Sequence, residues 1–326
     1  MPFKMKNLEG DTVQITTYDQ KYDQQVVDLW NRTLHADPIV IGKFRRQALF
    51  DENFDPSLCY VALDGETVIG FCMGMRRKFP YMERGTEPDR GWIVALFVDE
   101  AWQRQGIGTA LMRRAEADMR AAGAKNITLF AYSPGYFFPG VDGENYPASI
   151  PFFEKLGYQA GKKDYSMCKD LHGYHMSPES LAKKAAAEEK GYRFINFTYD
   201  YALELLEFNK NNFGGGWKRN ALIAMQNGTA EDLILLVISP EGKICGFCMR
   251  MIDGNPSRFG PIGIDKNMRN DGLGSILLDF AQQEMAKRGI YHMYFVSTDD
   301  PGRRYYERKG VKVFRTFTSY KKYFEK

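Results

Sequence analysis

Two segments of the chain have the residue types and spacing to hold a phosphate group: Gln103-x-x-Gly106-x-Gly108 and Arg269-x-x-Gly272-x-Gly274. Each stands between a short apolar run and a helical pattern, so its glycines fall at a helix N-terminus. The first N–H groups of a helix have no intrahelical acceptor, and the helix dipole is positive at that end, which suits an anion. Glycine lets backbone amides approach phosphate oxygens and take positive φ. A glycine pair before a helix is often only a tight turn. Neither copy has the third glycine of a dinucleotide-binding loop or the Gly-Lys-Ser/Thr of a nucleoside triphosphate loop.

Other chemistry-bearing residues point to packing. Cys245-Gly-Phe-Cys248 has metal-pair spacing, yet it lies in an apolar strand-like run and lacks a second pair. Of His35, His172, His175 and His292, only His172 and His175 are close, without an acidic or thiol partner at ligand spacing, so no metal centre is expected. Five cysteines in 326 residues are too sparse for a disulfide framework, and a reduced, cytoplasmic setting is expected. A net charge of +3, with only short clusters such as Arg76-Arg77-Lys78, argues against a nucleic-acid partner. No apolar run approaches a membrane helix, and the N-terminal residues lack the apolar core of a signal peptide.

The elements that must position the glycine loops occur twice. Gly70-Phe71-Cys72-Met73 recurs as Gly246-Phe247-Cys248-Met249, the loops follow, and Phe152-Phe153-Glu154-Lys155-Leu156-Gly157 answers to Tyr305-Tyr306-Glu307-Arg308-Lys309-Gly310. Matched glycines lie 176, 166 and 153 positions apart, so the first copy carries about 10 and then 13 extra residues, expected as loops. In each copy a hairpin signal (Asp64-Gly65, Glu241-Gly242) joins two apolar strands, and a short strand precedes the loop. Helical stripes follow: Ile107, Leu111, Ala115 and Met119, then Leu273, Ile276, Leu277 and Phe280. A further strand and the aromatic segment complete each copy. Ser177-Pro178 reads as an N-cap with proline at the first helical position, opening a linker helix that Gly191 ends. The expected class is α+β, two tandem domains over 1–176 and 191–326 with a helical linker at 177–190, each a mixed, mostly antiparallel central sheet flanked by helices.

R/Q-x-x-G-x-G between strand and helix, followed by the aromatic-Glu-Lys segment, resembles the GCN5-related N-acetyltransferase (GNAT) superfamily, twice over nearly the whole chain. The resemblance implies acetyl-CoA as donor, its pyrophosphate held by main-chain amides. The implied positions are Gln103, Arg104, Gln105, Gly106, Ile107, Gly108 and Thr109, and Arg269, Asn270, Asp271, Gly272, Leu273, Gly274 and Ser275. Val98 and Ile264 would lie beside the pantetheine, where the strands splay to admit the acetyl group. The implied reaction is attack of a neutral amine on the thioester, with a strand N–H holding the oxyanion and a tyrosine protonating the thiolate. Tyr306 stands at that tyrosine's place; Phe153 matches it in the first copy and cannot donate a proton.

A general base is not apparent: Asp265, Asp299 and Asp300 are equally turn or cap residues, and a water chain would serve as well. Phe213-Gly-Gly-Gly-Trp217 either shapes substrate access or is a plain flexible loop. The aromatic insertion Tyr136–Asp142 should pack, as an interdomain contact or as an acceptor-pocket wall. The leading expectation is an N-acetyltransferase acting on a primary amine of a small molecule or peptide, with chemistry in the second copy. The alternative is a non-catalytic acyl-CoA binding or sensing protein; an amino-acid transferase using charged tRNA is weaker, for want of a basic tract. Two fused copies can supply the contact that single-domain relatives make between subunits, so a monomer is expected.

Overall fold

The computed structural model describes residues 3–6, 12–269 and 271–324. The chain divides into two units, the first taking residues up to Asp164 together with those from Arg315 onward, the second taking Tyr165–Phe314. In chain order the first runs through β1 (Phe3–Lys6), β2 (Thr12–Thr17), α1 (Asp23–Thr33), α2 (Ile41–Phe44), β3 (Cys59–Asp64), β4 (Thr67–Met75), β5 (Arg90–Val98), α3 (Ile107–Ala121), β6 (Asn126–Leu129), α4 (Ser149–Lys155) and the start of β7 (Gln159–Asp170). The strands from β1 to β5 pair antiparallel in sequence order, and β6 lies parallel to β5. The Asp64-Gly65 hairpin is as expected, with Gly65 at φ +55°.

Small residues on β4 set the packing distance. A Cβ on Gly70 would lie 3.2 Å from Leu111, and one on Gly74 would lie 2.6 Å from Met119, so α3 sits directly on this face of the sheet. All four residues of the predicted α3 stripe are buried. Phe71, one residue on, points to the other face, where its ring meets Tyr18 and Phe44 and lies 5.4 Å from Phe97. Trp30 of α1 covers Phe97 at 5.4 Å, so α1 and α3 clamp opposite faces.

The second unit holds the end of β7, α5 (Pro178–Glu189), β8 (Arg193–Asn196), α6 (Ala202–Phe213), α7 (Gly215–Gln226), α8 (Ala230–Leu233), β9 (Ile234–Ile238), β10 (Ile244–Arg250), β11 (Phe259–Ile264), α9 (Leu273–Lys287), β12 (His292–Phe295), α10 (Asp300–Glu307) and the start of β13 (Lys312–Tyr323). Strands β11, β10, β9 and β8 form an antiparallel sheet in that order. The inner face of α9 (Leu273, Ile276, Leu277, Met285) packs with Cys248, Phe259 and Ile264. Each such aliphatic side chain contributes about 1.5–3 kcal/mol on burial. On the opposite side, Phe247 packs with Leu205 and Phe208 of α6 and Ala221 and Ala224 of α7. Phe280 is only half-buried; Ala281 and Leu278 are buried in the stripe instead.

The division differs from the one read in the sequence. The change of unit falls within β7, between Asp164 and Tyr165, and not after residue 176; residues from Arg315 on belong to the first unit, where β13 pairs β6 from Tyr320↔Leu129 to Tyr323↔Asn126. From Met167 to Asp170, β7 pairs β12 in the second unit. Helix α5 is no free linker. Ser177 caps it as expected, Ser180 Oγ donates to Asp279 at 2.7 Å, and the Met176 N–H donates to Gln283 at 3.1 Å, fixing it to α9. No local feature of this 12-residue strand marks where along it the chain changes unit.

Candidate functional site

The two glycine loops fold alike. At the end of β5 the Asp99 N–H donates to Ile69 O, and the Asp99 carboxylate accepts from Ala101 N at 3.1 Å; at the end of β11 the Asp265 N–H donates to Cys245 O, and its carboxylate accepts from Asn267 N at 2.8 Å. Each aspartate thus caps one short turn. The first motif side chain then reaches back to the strand: Gln103 Nε2 donates to Val98 O at 3.0 Å and Arg269 Nε to Ile264 O at 3.4 Å. Both glutamine and arginine carry the donor this tie requires.

Gly106 at φ +85° and Gly272 at φ +78° are the N-caps of α3 and α9, left-handed and without a side-chain capping bond. Among the described residues, the N–H groups of Gly106, Ile107, Gly108 and Thr109 donate to no protein acceptor, nor do those of Gly272, Leu273 and Gly274; the helical bonds begin at Ala110 and at Ser275. Two uncapped, dipole-aligned N-termini of 15-residue helices result, which is the arrangement a pyrophosphate requires. Arg104 and Gln105 lie in the first loop, Asp271 and Ser275 at the second, and Asn270 falls outside the described residues.

The second glycine of each loop makes room for the aromatic segment. A Cβ on Gly108 would stand 3.4 Å from Phe152 and 3.7 Å from Val98; one on Gly274 would stand 3.3 Å from Ile264 and 4.0 Å from the Tyr305 hydroxyl. Phe152 and Tyr305 therefore lie beside the helix N-termini. Their neighbours turn inward, Tyr306 meeting Phe295 of β12 at 4.6 Å and Phe153 meeting Phe130 at 6.0 Å. The Tyr306 hydroxyl makes no hydrogen bond among the described residues, and burial, then the nearby Tyr305 and Cys248, push its pKa well above the usual tyrosine range. It holds its proton at neutral pH. Burial pushes the Tyr305 hydroxyl up to about 12.

Beside each loop two parallel strands part. Strand β5 pairs β6 from Arg90↔Asn126 to Ile93↔Leu129 and then runs on alone on that side to Val98. Its partner register against β4 slips at the same place, leaving Val94 as the bulged residue. In the second unit, Arg258, directly before β11, forms an isolated parallel bridge to Tyr294 of β12, and the register of β11 against β10 slips over Gly260 and Pro261. A bulge bends its strand, and here each bend starts a separation that leads toward the glycine loop.

The aspartates weighed as bases are engaged. Asp265 caps its turn, Asp299 accepts from Gly302 N at 2.9 Å as the cap of α10, and Asp300 accepts from Tyr165 at 3.0 Å and pairs with Arg303. The Phe213–Trp217 segment is a helix corner: α6 ends at Phe213, Gly214 turns at φ +94°, and α7 begins at once. Phe213 stacks on Trp217 at 4.2 Å and brings the tip of its ring against β11, where a Cβ on Gly263 would be 2.3 Å from Phe213 Cζ. Among the described residues, no group of three or more potential metal-ligating side chains occurs, and no helix is long and apolar enough to cross a membrane.

Two uncapped glycine-led helices, each beside a bulged and parting strand pair, define the acyltransferase architecture anticipated from the repeats. The sequence model of the acetyltransferase (GNAT) family matches residues 24–158, and that of the acetyltransferase (GNAT) domain matches 231–313. The chain belongs to the GNAT superfamily, as a tandem of two such domains. Mycothiol acetyltransferase of Clavibacter sepedonicus is 21% identical over 239 residues, 69% of this chain and 70% of that one. Among solved structures, the GCN5-related glucosamine N-acetyltransferase region of a fungal multi-domain GH3 β-N-acetylglucosaminidase aligns with TM-score 0.79 and 19% identity, over 95% of this chain and 38% of that one. A GNAT protein from Sphaerobacter thermophilus aligns with TM-score 0.70 and 15% identity over 95% of both chains. The tandem GNAT protein from the clavulanic acid biosynthesis pathway gives 0.64 and 17%, over 95% of this chain and 98% of that one.

A turn or cap role for Asp265 was weighed in the sequence, but its counterpart Asp99 was missed, although a signal existed: Asp-x-x-x-Gln at 99–103 and Asp-x-x-x-Arg at 265–269 recur at the same 166-residue offset as the glycines.

Proposed function

We propose that the protein is an acetyl-CoA-dependent N-acetyltransferase that acetylates a primary amine of a small molecule or peptide, with the chemistry in the second unit. The observation that carries this reading is the difference between the copies: both offer an uncapped helix N-terminus, but only the second sets a protonated, unpaired hydroxyl, that of Tyr306, against the strand that borders the parting. The donor supplies a thioester whose acetyl carbon an amine can attack. The N–H groups of Gly272, Leu273 and Gly274 would hold its pyrophosphate, with Arg269 and Ser275 beside them and Ile264 along the pantetheine. Past the bulge at Gly260 and Pro261, main-chain N–H groups of β11 would face the developing oxyanion. Tyr306 would give its proton to the departing thiolate. With Asp265, Asp299 and Asp300 occupied, the amine proton would leave through solvent. Phe213 and Trp217 would form an aromatic wall on the acceptor side of β11.

Calorimetric titration of acetyl-CoA into wild type, Gly106→Trp and Gly272→Trp tests the binding half of this reading. Loss of an equivalent with Gly272→Trp is expected; a wild type that binds none refutes it. Tyr306→Phe tests the chemical half, with kcat expected to fall by about 10²-fold or more while acetyl-CoA affinity stays within about twofold. Binding without turnover on any amine would favour the acyl-CoA sensing alternative, which the engaged aspartates also fit.

A further inference from the structure

The extra 13 residues of the first copy lie between β6 and α4, and they do not form a free loop. Phe138 is 7% exposed, and its ring stacks on Trp30 at 5.6 Å and 16° while meeting Phe130 edge-on at 5.4 Å. These two neighbours come from different elements, Trp30 from α1 and Phe130 from the position directly after β6. Trp30 lies on the α1 face with Phe97, whereas Phe130 contacts Phe153, whose neighbour Phe152 sits against Gly108 of α3. A ring in contact with both lies at the end of β6, where β5 and β6 part beyond Ile93↔Leu129 and the Phe130 N–H still donates to Ile93 O.

We infer that Phe138 is a plug in the acyl slot of the first unit, so that this unit admits a nucleotide pyrophosphate at its glycine loop but excludes the pantetheine arm and the acyl group. This inference rests on the proposed role of the parting strands as the acyl site. The backbone supports the plug: Ala131 N donates to Phe138 O at 2.8 Å, and Val141 exchanges hydrogen bonds of 2.8 Å with Thr318 in both directions. Gly140 lies so close under β13 that a Cβ would be 2.7 Å from Thr318 O. Arg315 bonds Asp142 at 2.8 Å and 2.6 Å and also Asp37, tying the segment to the strand that covers it. In the second unit only four residues, 296–299, separate β12 from α10, too few to send a side chain back into its own slot. The first copy thus lacks the acid, at Phe153, and lacks the space.

The test uses the full chain carrying Gly272→Trp, so that the first loop alone is open, and compares acetyl-CoA with 3′-phosphoadenosine 5′-diphosphate, which has the pyrophosphate without pantetheine. With the plug in place, the two ligands should bind within about threefold of each other; adding Phe138→Ala should tighten acetyl-CoA by about tenfold or more and leave the nucleotide unchanged. A plugged protein that already prefers acetyl-CoA by about tenfold, or a Phe138→Ala protein that binds it no tighter, overturns the inference. Should Phe138→Ala fail to give a cooperative melt, the ligand comparison in the plugged protein decides alone. If the nucleotide binds and acetyl-CoA gains nothing, the plug fails while the loop assignment stands. If neither ligand binds, both fail for the first unit, while the proposed role of the second unit is read separately, from acetyl-CoA binding and turnover in the protein without Gly272→Trp.

Discussion

Tyr306 and Phe153 occupy equivalent places and differ by one oxygen, and that oxygen divides the two copies. Because burial holds the Tyr306 hydroxyl above the ordinary range, the acid stays loaded through the range in which an acceptor amine begins to deprotonate. The rate should therefore rise with pH as the acceptor deprotonates and show no falling limb up to about pH 9.5, since the tyrosine reference is already near 10. A descending limb near pH 8 would assign the proton to another group. Arg315 poses a different residue-scale question. Burial alone would raise the Asp142 carboxyl, but hydrogen bonds from Asn145 and Arg315 outweigh it and hold the pKa below the usual carboxylate value. A depressed folded pKa adds stability above the unfolded pKa and loses it as pH falls through the folded one. The melting-temperature advantage of wild type over Asp142→Asn should be full near pH 7 and shrink below about pH 4. Arg315→Met should cost about 3 kcal/mol, because the buried Asp142 and the half-buried Asp37 lose their counterion.

At the scale of elements, glycine decides how closely each helix meets its sheet, and Gly263 is the position where that closeness meets the proposed chemistry. The Phe213 ring rests on the backbone of β11 where a methyl group would be 2.3 Å away, so Gly263→Ala must displace the ring or the α6–α7 corner. A cost of about 1–3 kcal/mol is expected from overpacking. If Phe213 walls the acceptor side, the acceptor KM should change several-fold while acetyl-CoA affinity, set on the far side of the strand at α9, stays constant. Equal changes in both would mean that the substitution bends β11 itself. The loops, hairpins and helix stripes were legible in the sequence because each is local: a glycine at positive φ, a turn pair, a 3-and-4 spacing. Tyr306 against Phe153 was legible because the copies could be compared letter by letter.

On the scale of the whole molecule, legibility fails where the relevant contacts are distant in sequence. The insertion at 136–142 announces burial by its aromatic content, but its partners Trp30, Arg315 and Thr318 lie about 100 residues before it and 170 after it. The same distance hides the assignment of the last strand. A repeat invites the assumption that each copy completes itself, yet residues from Arg315 on complete the first unit. They bring Phe317 and Tyr320 into its core at 3% exposure, the pairing partner of β6, and Lys322 to Glu116 at 2.7 Å. Losing two buried aromatics at about 3–5 kcal/mol each, along with the Arg315 pairs, would consume most of the 5–15 kcal/mol by which a domain is ordinarily stable. A chain ending at Phe314 should therefore lose amide protection throughout β6 and the 136–142 segment. The hairpin of β9 and β10 and the helix α9 should keep theirs, because their core draws on nothing beyond Val313. Hydrogen exchange read by mass spectrometry separates the two sets of peptides. Protection retained in β6 would mean that the first copy is self-sufficient and that its final strand is decoration.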